Sequence, residues 1–317
     1  MKHDASNITL CLDDLGNSYI LLTLFFCMHL TLLGNFDQLY FLRVLKQIQR
    51  HIAVPRDIHL YILNDKSGYK TIVQHLPPSE KSSFKRVCTT ERVSFSYHRN
   101  KQRLIVITIN TSNAYLLRDR QALTGLLIHE LIHLEHMRVG LYTLLQQSYK
   151  KVFSLYVQLL TNLRQKHLLP ILDHIGQNAL LLLKDLYTNG AVIKRGFSHE
   201  LLRYYDHTFS LKKTCPRPVF YEQLRREVQK DPKVLQIVFA FEFALLSVIL
   251  PFKKYKERHA KELLKHISRC YNLNMRETLR KCGPFIDYYL DHYTKPSRDF
   301  QEKYFHLIFT KIIELLT

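Results

Sequence analysis

Leu123-Thr124-Gly125-Leu126-Leu127-Ile128-His129-Glu130-Leu131-Ile132-His133-Leu134 is the stretch whose reading decides this chain. Glu130 is its one formally charged residue, so the pattern predicts a helix buried all round rather than one with a solvated face. Positions i and i+4 lie one turn apart on one face of a helix, and His129 and His133 can therefore turn their rings to one point. Buried imidazoles and a buried carboxylate need partners. A metal ion held by the two histidines would supply them, with Glu130 placed to take a proton from water rather than to coordinate. A chain with 17 histidines can also form such a pattern by chance. In that case the pair would be core histidines with Glu130 in an ion pair.

Composition bounds the rest. A hydrophobic content of 46% and 12% aromatics are enough for a substantial core, so the chain reads as globular. The six cysteines form no CxxC pair and Met1-Lys2-His3-Asp4 begins no signal peptide, which points to reduced thiols and a cytoplasmic setting. Two apolar stretches, Tyr19 to Leu33 and Leu235 to Leu250, fall short of the roughly 20 residues a membrane-spanning helix needs and read as core helices. The net charge of +19 would attract polyanions, but no nucleic-acid motif accompanies it. Lys253 to Lys265 reads as an amphipathic helix with Glu257 four residues before Lys261. Nine glycines, none in a phosphate-loop or dinucleotide pattern, argue against nucleotide binding.

The organisation changes near residue 110. Residues 1–111 read as a mixed lobe and 112–317 as a helical lobe carrying the motif helix, the two together forming one compact unit. In the first lobe we expect a helix from Ser18 to Leu33 and a second from Asp37 to His51. Strands follow at His59 to Leu63, at Val93 to Tyr97 and at Leu104 to Ile109, the last two joined as a hairpin by Arg99 to Gln102. Pro77-Pro78-Ser79-Glu80 should open a short helix between them. The motif helix should begin at Ser112 or Asp119 and end at Gly140, with later helices punctuated at Gly190, Pro216, Pro251 and Gly283-Pro284. The expected class is α+β, predominantly helical, with a small sheet beside the motif helix.

The order of strand, HExxH helix and later helix with an acidic residue resembles the zincin metallopeptidases, of the gluzincin-like kind. The resemblance covers about residues 103 to 190, rests chiefly on the five-residue motif, and implies one zinc per chain, a glutamate base and a cleft edged by a strand. A catalytic zinc takes three protein ligands, so one more must come from elsewhere. Asp185 is the chosen third ligand because Leu181 and Leu182 share its helical face and turn it inward. Glu242, alone in an apolar run, is the runner-up. In the families resembled, the third-ligand Glu is followed four residues later by an Asp that supports a metal-bound histidine, and Asp185 with Asn189 has that spacing with both residue types changed. His136 lies roughly 10 Å along the axis from His129, too far to share its ion. His136 and Val139 stand where the metzincin pattern has Gly and His, which excludes that clan. Tyr204, Tyr205 and His207 are candidates for steadying a developing oxyanion.

The expectation is a zinc-dependent hydrolase of peptides or proteins. The alternative is a basic helical binding or scaffold protein whose HExxH is structural.

Overall fold

The computed structural model describes residues 7–12, 18–23, 28–52, 57–64, 68–88, 93–100, 102–110, 113–211, 246–271 and 283–316. They form a predominantly helical α+β fold whose chain divides into two compact units, Met1–Arg138 and Val139–Thr317. The division falls after the motif helix rather than at 111/112. The reason is packing, because that helix lies against the hairpin strands and against the first helix.

The first unit is built on a six-stranded sheet of order β1-β2-β3-β4-β6-β5. Its strands are β1 (Asn7–Leu12), β2 (Ser18–Thr23), β3 (Met28–Leu33), β4 (Ile58–Leu63), β5 (Ser94–Arg99) and β6 (Gln102–Thr108). β3, β4 and β6 run parallel in the centre, and the outer pairings are antiparallel. The helix expected over Ser18 to Leu33 is therefore two strands. β3 lies inside the sheet with Leu30, Leu32 and Thr31 all buried, and a strand covered on both faces reads as the same unbroken apolar run as a core helix. The strands expected at His59 to Leu63 and in the hairpin are present, and Asn100 takes the hairpin turn with φ 49°, a left-handed conformation that Asn adopts more readily than most residues.

Helices cover both faces of the sheet. α2 (Gly68–His75), which the sequence did not suggest, and α3 (Pro78–Cys88) place Tyr69, Ile72 and Phe84 against Tyr61, Leu63, Phe95, Tyr97, Leu104 and Val106. α1 (Gln38–Gln49) starts at Asp37, which accepts the Tyr40 N–H at 3.2 Å as an N-cap. Buried Glu80, in the first turn of α3, accepts hydrogen bonds from the Tyr97 hydroxyl and the Asn100 amide, so α3 holds the β5–β6 hairpin by its turn and by one face of β5. The same bond, with burial as the larger cause, raises the Tyr97 phenol well above its ordinary pKa.

In the second unit, α5 (Leu141–Asn162), α6 (Leu169–Lys194), α9 (Gly283–His292) and α10 (Arg298–Leu316) share a core rich in tyrosine and phenylalanine. α7 (Ser198–Leu211) packs on α8 (Glu257–Tyr271). The single amphipathic helix expected over Lys253 to Lys265 is interrupted at Lys256, so Lys253 to Tyr255 close helical residues 246–255 and α8 begins at Glu257, with Lys261 paired to Glu257 at 3.0 Å and Arg258 to Glu262 at 3.2 Å. Gly190 does not end a helix but lies buried inside α6. The stop is Gly196, at φ 92°, where Phe197 N–H reaches Val192 O at 3.3 Å and Gly196 N–H reaches Ile193 O at 3.1 Å, a Schellman closure. Pro251 sits within helical residues 246–255, Gly283-Pro284 opens α9, and Pro216 lies outside the described residues. Among the described residues no helix is long and apolar enough to cross a membrane.

On the parallel strands β3 and β4, the rings of His29 and His59 stack 4.7 Å apart. Burial, and next the neighbouring His29, hold His59 below its ordinary pKa of 6.5, against the pull of Asp57. The unfolded chain therefore binds the proton first, and stability should be flat above about pH 6.5 and fall below it. His59→Phe should reduce that acid-side slope by at most about 1.4 kcal/mol per pH unit in urea titrations. An unchanged slope would mean that the stack is not proton-linked.

Candidate metal centre

α4 (Arg120–Arg138) begins where the sequence places it, with Asp119 accepting the Ala122 N–H at 3.0 Å, and it ends before Gly140 at φ 75°. Every residue from Ala122 to Ile132 is buried, so the expected all-round burial is found. Two contacts fix the entry to the helix. Asn113 donates to Thr108 O at the end of β6 at 2.7 Å, and the Tyr40 hydroxyl of α1 donates to Leu116 O at 2.7 Å.

One turn apart on this helix, His129 and His133 bring their Nε2 atoms to 2.8 Å, the rings meeting edge to face at 76°. One proton can lie between two such nitrogens, one donating and the other accepting. A carboxylate oxygen of Asp185, on α6, completes a group in which one ligand atom from each residue lies within 4.8 Å of the others. It is the one group of three or more metal-ligating side chains so arranged among the described residues. Two ligands about 2.1 Å from one tetrahedral zinc stand roughly 3.4 Å apart, a separation between the 2.8 Å of the histidine pair and the 4.8 Å limit of the group. Two neutral nitrogens and one anionic oxygen are also the donor set of a catalytic zinc. The residues fit the ion.

Glu130 stands outside that group. It is 5% exposed, and its Oε1 accepts a hydrogen bond from Ser94 Oγ of β5 at 2.7 Å. Sequence reading missed Ser94. The available signal was the alternation of Val93 to Tyr97, which puts Ser94 and Ser96 on one face of the strand and leaves hydroxyls where a wholly apolar face would have aliphatics.

On α6, fully buried Asn189 donates from Nδ2 to Ser247 O at 3.0 Å and accepts the Tyr205 hydroxyl at Oδ1 at 3.0 Å. The Tyr205 proton is thus directed at Asn189, which makes Tyr205 a poor donor to an oxyanion. Near Asp185 on the same helix, the Tyr142 hydroxyl lies 3.3 Å from Thr188 Oγ1, and Lys184 Nζ sits 4.9 Å over the Tyr142 ring. Tyr204 and His207 lie on α7, Tyr204 with its ring 5.2 Å from that of Tyr205. His136, in the last turn of α4, is not a member of the metal-ligating group. Glu242 lies outside the described residues.

No protein-family model matches the chain, and neither a curated protein nor a solved structure matches it. Purified protein reconstituted with zinc should hold about one ion per chain by elemental analysis. His129→Ala, His133→Ala and Asp185→Ala should each weaken binding by at least about tenfold, and His136→Ala should leave it unchanged. Full zinc binding by Asp185→Ala would remove Asp185 from the ligand set.

Proposed function

We propose that the chain is a zinc-dependent hydrolase that cleaves amide bonds in peptides or proteins. The observation that carries this reading is the approach of His129 Nε2, His133 Nε2 and an Asp185 oxygen, with the Glu130 carboxylate outside the group and held from β5. The resemblance of the motif and its order of elements to gluzincin-like peptidases supports the same chemistry.

In this reading His129, His133 and Asp185 hold the ion, and the carboxylate of Asp185 offsets part of its charge. Zinc in such a site supplies a lowered pKa for a water and polarisation of a carbonyl. Glu130 does the proton work, its carboxylate held by Ser94 through Oε1 and taking the proton from the attacking water. The same carboxyl then delivers that proton to the amide nitrogen as the bond to carbon breaks, so the leaving group departs as an amine. Burial of α4 around the motif keeps bulk water from the proton's path. β5, the end strand of the sheet and packed against α4, offers a backbone edge along which an extended peptide can lie.

Glu130→Gln tests the assignment. The variant should keep its zinc and lose at least about 100-fold in kcat on a quenched-fluorescent peptide library, because proton transfer is removed and coordination is not. Loss of the metal would show that Glu130 coordinates, and undiminished turnover would remove it as the base.

A further inference from the structure

We infer that Ser94 is a positioning residue for the Glu130 carboxylate, an inference that rests on the hydrolase reading above. A glutamate side chain has three rotatable bonds, and on a helix nothing intrinsic fixes its last two. Glu130 is 5% exposed on a helix buried around it, so donors from the protein take part in setting its direction. Ser94 Oγ is such a donor. It stands 2.7 Å from Oε1, and an ionised carboxylate can only accept, so the hydroxyl proton points at Glu130.

The donor is itself held in place. Ser94 pairs with Ile107 in the β5–β6 ladder, and the ladder continues past it where Thr108 N–H reaches Val93 O at 2.8 Å. On the opposite face of β5, the Tyr97 hydroxyl is bound to buried Glu80, and Asn100 of the turn is bound to the same carboxylate. The strand is thereby fixed from the α3 side, and Ser94 carries that fixed position across to α4. Engaging Oε1 helps to hold the carboxylate at one orientation, the placement a general base requires. Threonine keeps the hydroxyl and suits a strand, whereas alanine removes it without disturbing the ladder.

The test compares Ser94→Ala and Ser94→Thr with the wild type in the full-length, zinc-loaded protein, with a quenched-fluorescent peptide library as the probe. In Ser94→Ala, kcat should fall about 10- to 100-fold, the range for loss of a partner that acts through a neighbour, with KM, zinc content and Tm unchanged. Ser94→Thr should restore kcat to within about threefold. A crystal structure of metal-free Ser94→Ala supplies a readout independent of turnover, and the Glu130 carboxylate should leave its wild-type position by about 1 Å or more. An unmoved carboxylate, or a Ser94→Ala protein that loses zinc and Tm together with kcat, would overturn the positioning role. An active wild type with an unaffected Ser94→Ala would sink this inference and leave the hydrolase reading standing. A zinc-loaded wild type that cleaves nothing in the library would sink both.

Discussion

Burying a histidine and a glutamate side by side on a helix that is otherwise apolar is the constraint from which the rest of this structure follows. His129 and Glu130 are each less than a tenth exposed, and neither can be left without polar partners at that depth. The two side chains leave the helix about 100° apart, so they meet different surroundings. His129 turns to His133, one turn on, and Glu130 turns to the hydroxyl of Ser94. The helix therefore separates groups suited to hold an ion from a group suited to move a proton.

Neighbouring elements serve that separation. The hairpin strand β5 has one face tied to Glu80 of α3 and presents Ser94 from the other, so a single strand connects a buried acid near one helix terminus with the buried acid of the motif. Asp119 and Asn113 set where α4 begins relative to the end of β6. In the second unit, α6 carries Asp185 through a helix that does not stop at Asn189-Gly190 but runs on to Lys194, with Asn189 bonded to Tyr205 and Ser247. A continuous helix of that length holds an acidic side chain at a fixed rotation, which a loop would not do.

Features written in short-range pattern were legible in the sequence. The capped start of α1, the hairpin turn, the all-round burial of α4 and the Glu257–Lys261 pairing each depend on residues within about one turn or one strand of each other. Asp185 was reached by a premise the structure overturns, since Leu181 is 39% exposed and Leu182 and Asp185 are only half-buried, so that face of α6 is not an inward one, although the Asp185 carboxylate does lie with the histidine pair. Ser18 to Leu33 was misleading because Leu30 and Leu32 are buried on one face of β3 while Thr31 is buried on the other, and that two-sided burial erases the alternation that marks a strand. Gly190 was read as a stop although Arg195-Gly196 carried the real one, since a glycine inside a buried helix looks the same in sequence as one that ends it. The alternation of Val93 to Tyr97 marked the face that Ser94 shares, but its partner Glu130 is set by the packing of β5 on α4, and no local spacing encodes that.

The most direct measurement is an anomalous-difference map recorded across the zinc absorption edge on crystals of the purified, zinc-loaded protein. One peak should appear, with His129 Nε2, His133 Nε2 and an Asp185 oxygen at roughly 2.0 to 2.2 Å and Glu130 outside bonding distance. A peak elsewhere, or no peak with the histidine nitrogens still in mutual contact at full zinc loading, would contradict the assignment of a zinc centre to α4.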